Sequence, residues 1–264
     1  MKVFSCFAFL LMIMLSTLAF SQILVGPVAG ANYSWTSFGN KELKDAYRVS
    51  PVFGFHVGGH VAFKVQKRFF LHASLLYASK GRLLEGKLDT KLRNSVRNNY
   101  IDMPISYAVD FKGKIGRSKE FKYFLGIGPN ISYWINGKGT LYDTDLEENN
   151  QGELSYKTAF KKAAVNQQPD EMIVEQPNRF QLGLNFIAGM VLEPAPRQRM
   201  IVSVRYELGH SYAAKTNGIF LDTYFQDPLQ SRNQGFRISL AYLVDLKTEE
   251  RKKGKSTIDK RKSR

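Results

Sequence analysis

Cysteine is almost absent from this chain of 264 residues, and its only copy, Cys6, lies near the N-terminus. The chain after Cys6 therefore has no disulfide bridge and no thiol chemistry. A lipid-bearing cysteine would stand at the cleavage point of a leader, and Cys6 does not. A chain without disulfides must be held by an apolar core or by a ladder of backbone hydrogen bonds.

Long apolar runs are absent after residue 20, so the later sequence predicts no membrane helix, which needs about 18 or more apolar residues. The exception is the run Val3–Leu18, which follows a lysine and ends at a small-residue cleavage motif. This pattern predicts a secretory signal peptide over residues 1–21 rather than a retained anchor, because the run is short for a span. Export without a helical span leaves three destinations: the periplasm, the medium, or an outer-membrane barrel.

Acidic residues are in the minority, since 38 Lys and Arg oppose 23 Asp and Glu and give a net charge of +15. The tail at 247–264 contributes +6 of this, from nine basic and three acidic residues. We expect this tail to be a disordered, solvated end, and the alternative is that it contacts a periplasmic partner, peptidoglycan or anionic lipid. Basic charge also suggests nucleic acid, but export and the lack of a nucleic-acid motif argue against that partner.

Alternation of apolar and polar residues is what the sequence has in abundance. In Arg179–Tyr212 a strict period of two runs through both arms of a hairpin whose turn is Pro194–Arg199. That period is typical of strands, and arms of this length suit a bilayer, which a tilted strand crosses in roughly 9–11 residues. Six further segments are predicted as strands on the same pattern: Ile23–Trp35, Pro51–Phe63, Phe69–Lys80, Asn99–Phe111, Phe121–Ile135 and Gln234–Leu246.

The connections between the predicted strands alternate between long and short along the chain. Membrane barrels have this asymmetry, with tight periplasmic turns and longer outer loops. We therefore predict an all-β fold over residues 22–246: an eight-stranded antiparallel up-and-down transmembrane β-barrel with short periplasmic turns and long outer loops. Within the longest connection, Asn136–Asn178, the segment Tyr156–Val165 is predicted to form a short helix.

The two faces of the predicted strands differ in chemistry. One face is apolar, with residues such as Leu182, Phe186, Ile238 and Tyr242, and should meet lipid. The other face is rich in glycine and in groups that need partners, and it should fill the interior, because an unpaired charge in an apolar medium is costly. The predicted polar cluster in the lumen is His56, His60, His72, Asp102, Asp110, Arg205, Glu207 and Arg237.

Three groups of residues raise the question of catalysis or metal binding. The three inward histidines lie on two strands, and the two on one strand are four residues apart, about 13 Å, too far for one metal ion. Gly209–Tyr212 brings a histidine and a serine to the end of a strand, but adjacent residues point to opposite faces, which does not suit a catalytic pair. The acidic run Asp143–Glu148 lacks the glycine and spacing of a calcium loop. We therefore expect no catalytic residue, no metal and no cofactor.

Five segments carry the pattern of strands found in one family: ILVGPVAGANYS, FFLHASLLYASKG, YIDMPISYAVDF, FKYFLGIGPNISYWI and RISLAYLVDL. Together they resemble the outer-membrane β-barrel domain family of the PorT-like, Bacteroidota type over most of the mature chain. The resemblance implies an eight-stranded barrel with long outer loops and no shared active site. Such barrels often end at an aromatic residue, whereas here the basic tail continues past Leu246, so Tyr242 is the candidate for that role.

The predicted function is that of a non-enzymatic, monomeric outer-membrane protein that presents surface loops for binding or for envelope structure. The connection Asn136–Asn178 is the predicted binding element, because binding residues concentrate on loops held by a rigid scaffold. Three alternatives stay open: an accessory barrel of a protein-secretion or gliding machinery, an outer-membrane lipid-modifying enzyme, and a soluble lipocalin-like ligand carrier with inverted faces. Outer-membrane lipid is the partner that every reading except the last requires.

Overall fold

The computed structural model describes residues 23–115, 118–149, 152–162, 168–195, 197–221 and 223–246. The predicted signal peptide at 1–21 and the basic tail at 247–264 lie outside the described residues. Most of the described chain is β-strand, which confirms the predicted all-β class. The described helices are two short ones, α1 (Lys41–Ala46) and α2 (Thr144–Glu148), and neither is long or apolar enough to cross a membrane.

The described strands number twelve and belong to one sheet. In chain order they are β1 (Ile23–Phe38), β2 (Tyr47–Gln66), β3 (Phe69–Gly86), β4 (Arg93–Ile115), β5 (Ser118–Tyr142), β6 (Leu154–Ala159), β7 (Glu171–Ile173), β8 (Phe180–Ala195), β9 (Gln198–Gly209), β10 (Gly218–Ile219), β11 (Gln226–Asp227) and β12 (Ser231–Asp245).

Eight of these strands close into a ring of antiparallel pairs. The order around the ring is β1, β2, β3, β4, β5, β8, β9 and β12, and β12 pairs with β1 again. Each strand in the ring therefore has a hydrogen-bonded neighbour on both sides, the arrangement that removes exposed sheet edges. The strands β6, β7, β10 and β11 continue the sheet from one edge of β5, so the sheet has twelve strands where the sequence predicts eight.

The extra strands lie in segments predicted as loops. β5 pairs with β8 only as far as Tyr133, and beyond it β6 takes the edge of β5 between Lys138 and Leu141. The predicted helix at Tyr156–Val165 is wrong, because β6 covers its first residues and satisfies their backbone groups on that edge. β4 and β5 run to 23 and 25 residues, about twice what a bilayer crossing needs.

The faces of the ring strands differ sharply in exposure. The apolar set stands outward, and Phe53, Leu182 and Ile238 are 70%, 56% and 59% exposed. Exposed residues alternate with less exposed ones along β8 and along β12, and Phe186 and Tyr242 belong to the exposed sets. A soluble protein would not display so many large apolar side chains on one continuous surface, whereas a sheet bathed in hydrocarbon would.

Two adjacent glycines on β2 offer a test of how tightly the ring strands approach one another. A Cβ atom on Gly58 would lie 2.0 Å from the Leu75 carbonyl oxygen, whereas a Cβ on Gly59 would meet nothing within 4 Å. We expect Gly58→Ala to lower the free energy of unfolding by about 1–3 kcal/mol through overpacking. We expect Gly59→Ala to change it by no more than about 0.5 kcal/mol. Urea unfolding in lipid vesicles measures both, and equal midpoints for the two variants would contradict this packing.

Candidate functional site

The interior of the ring holds a buried network of four charged side chains. The Lys80 Nζ lies 2.9 Å from Asp102 Oδ2 and 2.7 Å from Glu207 Oε1. The Arg237 guanidinium forms ion pairs with the same two carboxylates. All four side chains are buried, so each charge depends on its partners rather than on water.

This network crosses the ring. Asp102 lies on β4 and Arg237 lies on β12, four strands away in a ring of eight. Side chains from such opposite strands can meet only through the interior. The bore is therefore filled with side chains at this level, as is usual for small barrels.

Arg205 and Asn130 lie beside the network, and Asn185 is buried on the same inward face of the ring. Arg205 is buried and stands directly opposite Arg237 in the β9–β12 register, and its Nε has no hydrogen-bond partner among the described residues. Asn130 donates from Nδ2 to Glu207 Oε1 at 2.9 Å. Asn185 donates to the carbonyl oxygens of Gly128, Pro129 and Ile105 at 2.8–3.1 Å. Three cations thus share the space with two carboxylates, and the Asn130 amide adds a hydrogen bond to Glu207.

The three histidines of the predicted cluster separate into two groups. His56 is hydrogen-bonded to Asn32 Oδ1 at 2.7 Å and to Ser239 Oγ at 2.9 Å. His60 Nε2 and His72 Nδ1 are 3.0 Å apart. Among the described residues, no three His, Cys, Asp or Glu side chains are arranged to hold a metal ion.

Asp110 is the one member of the predicted cluster that lies away from the others. It is half-buried and lines a cavity of about 440 Å³ at the short-turn end of the ring. The other charged residues of that lining are all basic: Lys64, Lys67, Arg68, Lys112, Lys122 and Arg199. We call this cavity and its lining the basic rim.

Lys80 is central to the network but is missing from the predicted cluster. Its parity follows that of His72 on β3, so the alternation places it on the inward face. It was missed because the predicted strand ends at Lys80, where a lysine suggests an exposed terminus. In the structure β3 continues to Gly86, and Lys80 is enclosed.

The long connections and the adjoining strand ends build an apolar core beyond the network. We call this region, made of α1, α2, β6, β7, β10, β11 and the adjoining ends of β3, β4 and β5, the cap. Its core contains Leu92, Val96, Tyr100, Trp134, Leu141, Leu146, Tyr156, Met172, Val174, Ala213, Ala214, Phe220 and Leu229. A cluster of this size makes the cap a folded unit rather than a set of free loops.

Polar contacts fix the cap to the ring strands. Arg82 on β3 forms a buried ion pair with Asp227 on β11, with 2.5 Å between Nη2 and Oδ1. Burial raises the pKa of the Asp227 carboxyl, and the Arg82 guanidinium opposes that shift. Tyr156 donates from its hydroxyl to Asn94 Oδ1 at 2.6 Å, and burial raises the pKa of this phenol well above its usual value.

The acidic run at 143–148 holds parts of the cap together. Asp143 caps α2 by accepting the Leu146 N–H, and its other oxygen accepts the Thr223 hydroxyl at 2.5 Å. Asp145 accepts the Tyr224 N–H at 3.2 Å. These carboxylates join two connections of the cap to each other.

The histidine and serine at the end of β9 are engaged with the backbone. The Ser211 hydroxyl accepts the Leu182 N–H at 3.0 Å, and the His210 N–H donates to the Leu182 carbonyl. Glu207, the nearest candidate carboxylate, is held in the interior by Lys80 and Arg237. The described contacts therefore assign these residues structural partners.

Three solved structures are similar to this chain in outline. Neisserial surface protein A is 12% identical, with 84% of this chain and 96% of that one covered and a TM-score of 0.36. OprG from Pseudomonas aeruginosa is 10% identical, with 85% and 92% covered and a TM-score of 0.39. Ail of Yersinia pestis, solved in complex with the heparin analogue sucrose octasulfate, is 12% identical, with 84% and 99% covered and a TM-score of 0.34. TM-scores this low carry no argument about the function of this chain.

No curated protein matches the chain. A family model does match, and it is described as the outer membrane protein beta-barrel domain. The match spans residues 18–210, which takes in seven of the eight ring strands and most of the cap. Because the match covers well over half of the chain, this protein belongs to the outer membrane protein beta-barrel domain family.

Proposed function

We propose that the ring of eight strands is a transmembrane barrel that displays the cap on the outer surface of the cell, and that the protein works by binding rather than by catalysis. The single observation that carries this proposal is the cap itself. Its core is built from the long connections, which in membrane barrels lie outside, and from the adjoining ends of β4 and β5. It lies beyond the network and meets it where the Lys80 Nζ stands 4.9 Å from the centre of the Tyr100 ring.

Strand length supports the orientation. A tilted strand crosses the hydrocarbon in roughly 9–11 residues, so β4 and β5 extend beyond the membrane, and at the cap end they extend far enough for β6 to pair with β5. The turn between β2 and β3 at the opposite end is two residues long. A barrel with one short end and one extended end is suited to presenting a surface.

The filled interior supports the proposal that the barrel neither conducts solutes nor catalyses a reaction. The network of Lys80, Asp102, Glu207 and Arg237 closes the bore with side chains from opposite walls. The lipocalin-like alternative inverts the two faces and places the charged residues outside, whereas Arg237 is buried in the interior and Leu182 is 56% exposed on the outside. This orientation of the apolar face argues against a soluble ligand carrier.

Surface labelling tests the proposal directly, since the chain has no cysteine after Cys6. Leu88 and Tyr224 are each 93% exposed in the cap, and Lys67 is exposed in the short turn between β2 and β3. We expect Leu88→Cys and Tyr224→Cys to react with a membrane-impermeant maleimide on intact cells. Lys67→Cys should react only after the outer membrane is permeabilised, and the reverse pattern would refute the orientation.

The basic rim favours a second candidate, an accessory barrel of a secretion or gliding machinery, in line with the PorT-like resemblance. Six basic side chains line the rim at the short-turn end, where β1 begins and β12 ends. In this candidate the basic tail at 247–264, which follows β12, is the periplasmic contact. A barrel truncated after Leu246 removes that tail and tests the candidate. Loss of secretion or gliding with a normally folded barrel would favour this candidate, and unchanged secretion and gliding would leave surface display as the function.

A further inference from the structure

Three basic residues form a row across neighbouring strands on the outer face of the cap. In the β4–β5 register Arg97 stands directly opposite Lys138, and in the β5–β6 register Lys138 stands directly opposite Lys157. Residues that are directly opposite share a face of the sheet, and all three side chains are exposed. We call these residues the basic row.

The row is unfavourable for the protein alone. Directly opposite residues have Cβ atoms about 4.5–5.5 Å apart, and like charges at that spacing destabilise a sheet. The carboxylate paired with the row among the described residues is Asp170, which lies 3.7 Å from the Lys157 Nζ with both side chains largely exposed. An exposed pair of this kind contributes little. The repulsion along the row therefore favours an anion from outside.

The row also borders a space that a ligand group can enter. A cavity of about 560 Å³ is lined by all three basic residues, by Asp170, and by the hydroxyl-bearing residues Ser95, Thr140, Ser155 and Tyr156, so its lining carries three positive charges and one negative charge. On β3 the residue opposite Arg97 is Gly81, which has no side chain to close that flank. Cations and hydroxyl donors around an open cavity are the groups that bind phosphate.

The position of the row relates it to the membrane. Arg97 follows the same outward parity as Ile101, which lies four residues, or about 13 Å, closer to the membrane and opposite Tyr133. Arg179 stacks on the Tyr133 ring at 4.6 Å, as cations do where aromatic side chains meet a polar interface. The headgroup layer adds roughly 5–8 Å beyond the hydrocarbon. Long basic side chains reach down to that layer from the level of the row.

We propose that the basic row is a binding site for the phosphate groups of lipid headgroups in the outer leaflet. The proposal rests on the proposed function, in which the cap faces outward. The bound lipid would hold the cap against the membrane surface and neutralise the repulsion between Arg97, Lys138 and Lys157. The site is distinct from the network inside the ring and from the basic rim at the other end.

The test measures binding by the full-length protein, purified in a neutral detergent, to lipid A that carries its phosphates and to the same lipid after dephosphorylation. We expect the wild-type protein to bind the phosphorylated lipid at least about tenfold more tightly. A variant with Arg97→Gln, Lys138→Gln and Lys157→Gln should lose that preference. A control with Lys41→Gln, Arg48→Gln and Lys215→Gln removes the same charge from exposed positions on α1, on β2 and between β9 and β10, and it should keep the preference.

Several results would overturn the proposal. The first is equal binding of the two lipids by the wild-type protein. The second is a triple variant of the basic row that still prefers phosphorylated lipid A. The third is a control variant that loses this preference as fully as the variant of the row does. Inorganic phosphate is the third probe. If it displaces the lipid at equimolar concentration, the site is one for free phosphate and the assignment to lipid is wrong.

Thermal stability gives a second readout on the same proteins. In lipid-free detergent, Lys138→Gln should raise the unfolding midpoint, because it removes the charge that repels both neighbours. With phosphorylated lipid A, the wild-type protein should gain more stability than this variant. A lower midpoint for the variant without lipid would contradict the repulsion. These measurements on purified protein do not depend on orientation in cells, so their failure is distinguishable from a failure of the surface labelling.

Discussion

Replacement of Arg237 by methionine should produce the largest loss of stability of any single change in the ring. Arg237 pairs with both Asp102 and Glu207, and all three side chains are buried. Removing one partner of a buried ion pair costs about 3–5 kcal/mol, because the remaining charge has neither water nor a counterion. Lys80 contacts both carboxylates but supplies one positive charge for two negative ones. Arg205 is the other cation nearby, but the ion pairs of Asp102 and Glu207 among the described residues are with Lys80 and Arg237.

The measurement is urea unfolding of the refolded protein in lipid vesicles, followed by heat-modifiable migration on gels. A matched control is Lys122→Met, which breaks the exposed pair between Lys122 and Glu193 at 2.7 Å. Exposed pairs contribute no more than about 1 kcal/mol, so this variant should unfold close to the wild-type midpoint. Arg237→Lys keeps the positive charge but cannot reach both carboxylates as the guanidinium does. Its urea midpoint should lie between those of Arg237→Met and Lys122→Met. Equal midpoints for Arg237→Met and Lys122→Met would show that the network does not hold the ring together.

Replacement of Trp134 by alanine should loosen the cap while the ring persists. Trp134 is completely buried in the core of the cap, where its ring packs against Phe160 at 4.9 Å and Tyr100 at 6.3 Å. Truncating a buried tryptophan costs about 3–5 kcal/mol. Because Trp134 belongs to the core of the cap and not to the network of ion pairs in the ring, that loss of stability should be confined to the cap.

Limited proteolysis of the protein in vesicles measures the effect, with mass spectrometry to locate the cuts. We expect new cleavage within 136–178 and 213–233, while the heat-modifiable band of the ring is retained. Tyr224→Ala changes an aromatic residue that is 93% exposed and should leave the cleavage pattern unchanged. Loss of the folded band in Trp134→Ala would mean that cap and ring fold as one unit.

The alternation of residues was enough to predict the class of fold and the direction of most side chains. A period of two has only one structural meaning over such lengths, so the apolar set around Leu182 and Ile238 is assigned to the outside without knowledge of the pairing. The alternation does not predict which side chains pair inside the ring. Asp102 and Arg237 are 135 residues apart, and only the closure of the ring brings β4 and β12 face to face.

The cap was the part that sequence reasoning missed. Leu154, Tyr156 and Thr158 alternate over too few residues to separate a strand from a helix, and the deciding factor is the free edge of β5, which lies elsewhere in the chain. Asp110 was placed with the interior charges by its parity, but parity gives a face and not a height along the strand. It lies at the basic rim, far along β4 from Asp102.

The central claim is that the apolar face of the ring meets hydrocarbon while the charged face fills the interior. Photolabelling by a lipid with a diazirine in its acyl chain, located residue by residue with mass spectrometry, tests it most directly. The account predicts label on Leu182, Phe186, Ile238 and Tyr242, and none on Asp102, Arg205 or Arg237. Label on these three charged residues, with the four apolar ones unmarked, would contradict it.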